Sequence, residues 1–173
     1  MKILYQGSPG AYSHLAALEV YPDAEIIPCK TFDECFFKAQ QDENFKIIIP
    51  ESNKTTGNIG IEYLIFKYRL NIYAEHFHKI EHNLLGLSGA KITDIKNVLS
   101  HAQGLSQCSN FIKKNNLIEN VRADTAGSAE LISKNNIISD AAIASKLSAK
   151  IYKLDVIASN IENEKGNTTR FLI

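Results

Sequence analysis

The chain has 173 residues, 45% hydrophobic and 22% charged, with 19 Lys and Arg against 19 Asp and Glu and a formal net charge of +0. That length can fill one good core or two lobes sharing a chain, and the composition excludes disorder. No basic excess offers the concentrated footprint that nucleic acid needs, and no run of about 20 apolar residues offers a transmembrane helix.

The apolar run at residues 1–7 is too short for a secretory core. Cys29, Cys35 and Cys108 are odd in number and lack metal or redox spacing. They read as reduced and structural, which predicts a cytoplasmic protein.

Residues 2–5 predict a first strand, Gln6-Gly7-Ser8-Pro9-Gly10 a turn, and residues 11–20 a helix. Strand, glycine loop and helix together aim backbone N–H groups and a helix dipole outward, an arrangement that favours an anion. The pattern Gly7-x-x-Gly10 is neither the dinucleotide nor the P-loop fingerprint; alone it is weak, and a plain turn is the better reading. Residues 24–27 are a second strand. Thr31 opens a helix as N-cap, with Glu34 as its capping-box partner. Residues 44–50 form an unbroken apolar run, as in a parallel strand covered on both faces.

A polar stretch follows, Pro50-Glu51-Ser52-Asn53-Lys54-Thr55-Thr56-Gly57-Asn58. It leaves the C-terminal end of a buried strand, where open α/β sheets bind ligands; the plainer reading is a solvated loop before a helix at 59–68. Strand-like segments at 71–75 and 82–85 come next. His76, His78 and His82 would share one strand face. A metal is conceivable there, but zinc sites show clearer ligand spacing, and alternation on a connecting strand is the better account. A second α/β set occupies residues 96–158. In it Ser100 sits where a strand gives way to a helix, as a natural N-cap. Asp124 opens another helix.

The chain ends on Gly166-Asn167-Thr168-Thr169-Arg170-Phe171-Leu172-Ile173, a turn feeding a short strand. Such a strand does not fold alone. The simplest solution is that it crosses back into the first lobe's sheet. The expected fold is therefore α/β with two lobes, 1–75 plus 160–173 and 76–159, and a chain that crosses over twice around a cleft.

Four motifs carry a resemblance. They are Gly7-x-x-Gly10-Ala11-Tyr12-Ser13-x-x-Ala16, Ser100-His101-x-Gln103-x-Leu105-x-Gln107-Cys108, Asp124-Thr125-Ala126-Gly127-Ser128-Ala129 and Asn167-x-Thr169-Arg170-Phe171. Each is weak alone; in this order they are specific, and the chain resembles the catalytic domain of prephenate dehydratase over essentially its whole length. The resemblance implies a fold like a type II periplasmic binding protein. It also implies conversion of prephenate to phenylpyruvate, water and carbon dioxide in phenylalanine synthesis, with no metal or organic cofactor and as a homodimer. By resemblance Thr169 is the proton donor, with Arg170, Asn53, Ser100 and Gln107 at active-site positions. Substrate-binding positions would be Gly10, Ala11, Ser13, Ser52, Lys54, Thr55, Thr56, Thr168 and Phe171. Arg170 could offer a planar fork to a carboxylate.

Two departures stand out. The family loop reads Pro-Ile-Glu-Asn-Ser-x-x-Gly. Aligned on Pro50 and Gly57, this chain keeps Asn53 but places Ser52 for Glu and Lys54 for Ser, and Glu51, one position early, is expected to point elsewhere. The family also commonly continues into an ACT regulatory domain, which the 173 residues are not expected to include. Two alternatives accompany the enzyme reading: a module of the same fold that binds a small carboxylate without converting it, and a dehydratase acting on arogenate.

Overall fold

The computed structural model describes all of residues 1–173. Strand β1 (Lys2–Gln6) leads into helix α1 (Tyr12–Val20), then β2 (Glu25–Cys29) and α2 (Phe32–Gln41). Thr31 is the N-cap of α2 as expected: its Oγ1 accepts from the Glu34 N–H at 3.1 Å. Glu34 Oε2 reaches back one residue further than expected, to the Lys30 N–H at 2.8 Å. The buried residues of α2, Cys35 and Phe36, face the core while Lys38 stays outside. Next come β3 (Phe45–Ile47), β4 (Ile49–Asn53), β5 (Gly57–Asn58), α3 (Glu62–Tyr68) and β6 (Glu75–Lys79). The single strand expected at 44–50 is thus two strands in two sheets. The apolar residues Ile47, Ile48 and Ile49 run straight through the change of sheet, so hydrophobicity alone hides it. The strand expected at 71–75 begins only at Glu75.

The second half supplies β7 (Asn83–Gly86), β8 (Asn97–His101), α4 (Ala102–Gln107), α5 (Ser109–Lys114), β9 (Ile118–Arg122), α6 (Thr125–Asn135), β10 (Asp140–Ala144), α7 (Lys146–Tyr152) and β11 (Asp155–Ala158). The last strand is β12 (Thr168–Leu172).

Contacts divide the chain into two units. The first contains residues 1–8, 12–80 and 166–173; the second contains 9–11 and 81–165. These limits differ from those expected at 75 and 160, for identifiable reasons. Strand β6 pairs along its whole length with β12 and stays with the first unit. Residues 160–165 stay with the second, because the Ile161 N–H bonds to the His82 carbonyl at 3.0 Å and the Asn163 N–H to the Gln107 carbonyl at 2.7 Å.

The first unit has a parallel sheet, β2-β1-β3, and an antiparallel sheet, β5-β4-β12-β6. The returning tail therefore lies between β4 and β6, with both edges hydrogen-bonded. Its Leu172 joins a core with Leu4, Phe36, Ile49 and Leu64. The second unit is a five-stranded sheet, β11-β7-β10-β8-β9. Consecutive residues on its strands feed opposite faces. Leu84, Val98, Ala141 and Ile143 pack one way against Leu105 and Ile112, while Leu85, Leu99, Ala142 and Ala144 pack the other way against Ala129 and Ile132. Cores on both faces explain the apolar runs of its central strands.

Candidate active site

The polar residues of the first unit gather where β4 and β12 meet. Their antiparallel register sets Thr169 opposite Asn53, so both side chains leave the sheet on one face. Asn53 is buried and its amide organises the group. Its Nδ2 donates one proton to Asn167 Oδ1 at 2.8 Å and the other to Thr169 Oγ1 at 2.9 Å. Its Oδ1 accepts from the Thr55 N–H at 3.0 Å and the Thr55 hydroxyl at 2.7 Å. The Thr56 hydroxyl lies 3.4 Å from the same oxygen. The loop after β4 therefore folds back onto the residue that carries it.

This arrangement fixes what Thr169 can do. Its oxygen accepts from an amide, so its own proton is left to donate elsewhere. The N–H aimed at Oγ1 also stabilises negative charge developing there when the proton leaves. Asn167 completes the cluster and is 2% exposed. Its Nδ2 has no hydrogen-bond partner. The sequence reading did not count Asn167 among the site residues, although it stands in the same terminal motif; its two-residue spacing from Thr169 on one strand face was the available signal.

Arg170 and Ser52 lie on the other side. Strand alternation turns Arg170 away from Thr169, and its register partners are Ser52 and Phe77. Its Nε donates to Glu75 Oε2 at 2.7 Å and its Nη1 to Glu51 Oε2 at 3.4 Å. The bond to Glu75, with Glu51 adding to it, raises the guanidinium pKa further. The fork expected to meet a substrate carboxylate is thus occupied by two of the chain's own. Glu51, expected to point elsewhere, faces Arg170 because of a bulge: Arg170 pairs with Ser52 but Phe171 with Pro50, leaving Glu51 as the extra residue. A bulge re-aims side chains in this way, and the Ser52 hydroxyl donates to the same Glu51 carboxylate. Replacing Arg170 by alanine is expected to leave turnover close to that of the parent chain, measured beside a Thr169 variant in the same assay.

The remaining first-unit residues are placed simply. Lys54 is exposed, and its backbone N–H bonds to the Thr168 carbonyl at 2.9 Å. The Thr168 hydroxyl donates to the Gly166 carbonyl at 3.2 Å. Phe171 shares the Thr169 face and meets His78 edge-on, with ring centroids 6.5 Å apart. Ser13 is buried on α1.

In the second unit, residues 9–11 are held by their carbonyls. Gly10 O accepts from the Ser145 hydroxyl at 2.6 Å and the Ser148 hydroxyl at 3.0 Å, and Pro9 O from the Tyr152 hydroxyl at 2.9 Å. In a trans peptide the next N–H points opposite to the carbonyl, so the half-buried Ala11 presents its N–H away from the two serines. Gly10 has φ +94°, and a Cβ there would stand 2.9 Å from the Ser148 Cα. Only glycine meets both conditions.

Ser100 is not a helix cap. Strand β8 runs through it to His101, whose Nδ1 accepts from the Gln103 N–H and caps α4. The buried Ser100 hydroxyl donates to the Ile143 carbonyl at 2.7 Å, tying β8 to β10. Gln107 is the last residue of α4, and its Oε1 lies 2.8 Å from His82 Nε2. The His82 backbone N–H donates to Glu162 Oε2 at 3.0 Å. His82, read from the sequence beside two other histidines, belongs here instead.

Burial pushes the His82 pKa below its ordinary 6.5, outweighing the Gln107 hydrogen bond and the Glu162 charge that act the other way. Below pH 6.5 the unfolded chain binds a proton that the folded chain resists, so stability rises with pH through that window. Neutral His82 is compatible with full stability above pH 6.5, and stability falls as pH drops from there toward the lower folded-state pKa. His14, lowered by the same cause, acts in the same direction. Denaturant midpoints at pH 7 and pH 5.5 should show this loss, and His82→Gln should reduce it.

The three cysteines are free and buried. Burial raises all three thiol pKa values, so they are inert thiols and not nucleophiles.

Two α/β units linked by a chain that returns to the first define the periplasmic-binding-protein class of fold. Within that class the sequence is specific: the prephenate dehydratase profile matches residues 3–173, and the chain belongs to the prephenate dehydratase family. It is 43% identical over 176 residues to arogenate dehydratase/prephenate dehydratase 1, chloroplastic, of Arabidopsis thaliana, covering 100% of this chain and 44% of that protein. The chain thus spans under half the length of this relative. The structure of prephenate dehydratase from Arthrobacter aurescens, in complex with L-Phe, superposes with a TM-score of 0.91 at 23% identity, over 99% of this chain and 59% of that one. GqqA, described as a novel type of quorum quenching acylase, superposes with a TM-score of 0.90 at 33% identity, over 99% and 63%.

These relatives overturn the cytoplasmic expectation. Several Arabidopsis relatives, at 37–43% identity, are chloroplastic by name. Reduced cysteines fit any reducing compartment, so composition could not separate the two.

Proposed function

We propose that the chain catalyses the decarboxylating dehydration of prephenate to phenylpyruvate, with Thr169 as the proton donor. The observation that carries this is the Asn53 amide bonded to Thr169 Oγ1. In the reaction the C–C bond to the ring carboxylate breaks and carbon dioxide leaves. Its electron pair enters the ring and the C–O bond to the ring hydroxyl breaks. Hydroxide leaves poorly, so the Thr169 proton goes to that oxygen, which departs as water. The Asn53 N–H supports the charge left on Oγ1 until solvent returns a proton. Threonine is a weak acid, but aromatisation supplies driving force, so placement matters more than acidity.

The acylase named for GqqA would require a nucleophile with a base to take its proton. Thr169 accepts from an amide and donates to no base, which disfavours that reading here. Arogenate is the second substrate reading, favoured by the plant relatives that carry both names; it differs from prephenate by a side-chain amine in place of the ketone. Product analysis with each substrate tests the proposal. Phenylpyruvate from prephenate at the higher kcat/KM supports the first reading, and phenylalanine from arogenate at the higher value supports the second. No conversion of either would refute both. The resemblance also supports self-association. Exposed Tyr63, Phe66 and Tyr73 of the first unit offer apolar surface for it, and sedimentation at micromolar protein checks it.

A further inference from the structure

The three side chains Glu19, His76 and His78 of the first unit form a cluster that the dehydratase chemistry does not use. Strand β6 presents His76 and His78 two residues apart, on one face of the sheet. Helix α1 packs over that face and delivers Glu19 from its last turn. Glu19 Oε2 lies 2.8 Å from His76 Nε2 and 2.9 Å from His78 Nδ1. One ligand atom from each residue falls within 4.8 Å of the other two.

We propose that Glu19, His76 and His78 bind a divalent transition-metal ion of the zinc class. Two imidazoles and a carboxylate are the donor set such ions take. Magnesium and calcium prefer oxygen ligands and are disfavoured. Metal bonds of about 2.0–2.1 Å at tetrahedral angles set donors about 3.3 Å apart. Relative to the present 2.8 and 2.9 Å bonds, the two Glu19–His pairs open by roughly half an ångström, while the His76 and His78 nitrogens already lie within 4.8 Å of each other; rotamer adjustment brings the three donors to the common spacing. The ion takes the place of the hydrogen bonds that now join the two rings to the carboxylate. Each imidazole binds through a lone pair on the nitrogen that faces Glu19, with any ring proton carried on its other nitrogen. The fourth position is left for water. Side-chain exposure falls from 47% at Glu19 through 26% at His76 to 9% at His78, so the ion enters from the Glu19 side. Because His78 pairs with Thr169 across β6 and β12, a bound ion ties α1 to the sheet beside the proposed proton donor.

The test uses zinc chloride and cobalt chloride with the whole chain in chelator-free buffer at pH 7.5. Calorimetry is expected to show one ion per chain. The cobalt form is expected to show visible bands of a nitrogen–oxygen site with no thiolate charge-transfer band, which separates it from the three cysteines. Even outer-sphere changes typically cost about 10–100-fold in metal affinity, so His76→Gln and Glu19→Gln are each expected to weaken binding by at least about tenfold. Glu19 is half-exposed, so Glu19→Gln keeps the fold, and circular dichroism confirms it for both variants. Absence of binding at millimolar metal, unchanged affinity in folded Glu19→Gln, or a thiolate band would each overturn the proposal.

Discussion

Replacing Thr169 by valine is expected to lower prephenate turnover by about two to four orders of magnitude, the contribution typical of a positioned proton donor. Valine keeps the β-branched shape that suits a strand and fills the same space at a position 7% exposed. What it removes is the hydroxyl. One Asn53 proton loses its acceptor, while the other still reaches Asn167 Oδ1. The stability cost of one unmet buried donor is about 1–3 kcal/mol, so the variant should fold and the loss should lie in kcat. Thr169→Ser restores an O–H on the same bond and should recover much of the rate. Near-parent turnover in the valine variant would remove Thr169 from the mechanism.

Asn53→Ala should produce the next largest loss, about a hundredfold in kcat, the lower end of what an oriented donor beside a developing charge contributes. Asn53 acts through Thr169, as a positioning residue. In the double variant with Thr169→Val, its removal should therefore add almost nothing, a non-additivity expected of residues in direct contact. If the two losses multiply instead, Asn53 has an independent role and the proposed relay is wrong. The variant is also expected to be destabilised by about 1–3 kcal/mol, because Asn167 Oδ1 and the Thr55 N–H both lose their partner on residue 53. A urea melt reads this separately from the rate.

The contrast between Thr169 and Arg170 shows what the sequence could and could not tell. The terminal strand and its return to the first unit were legible, because a lone strand must pair somewhere and the apolar Leu172 needed a core. The pairing partners were less so. Treating Thr169 and Arg170 as one functional group ignored strand alternation, which sends neighbours to opposite faces. The bulge that turns Glu51 toward Arg170 depends on register, which only the folded sheet defines. Ser100 was misplaced because a strand end and a helix start share the same polar residues, and the cap moved by one residue to His101. The division of the 44–50 run between two sheets is invisible to hydrophobicity. Glu19 meeting His76 and His78, and His82 meeting Gln107, are long-range contacts with no local signature.

One time course tests the role of Thr169 most directly: phenylpyruvate formed from prephenate at neutral pH by the purified chain, run beside its Thr169→Val variant and a protein-free control. Release well above the control is expected for the parent chain, and a collapse toward the control for the variant. Parent release no faster than the control, or equal release by both proteins, would contradict this expectation.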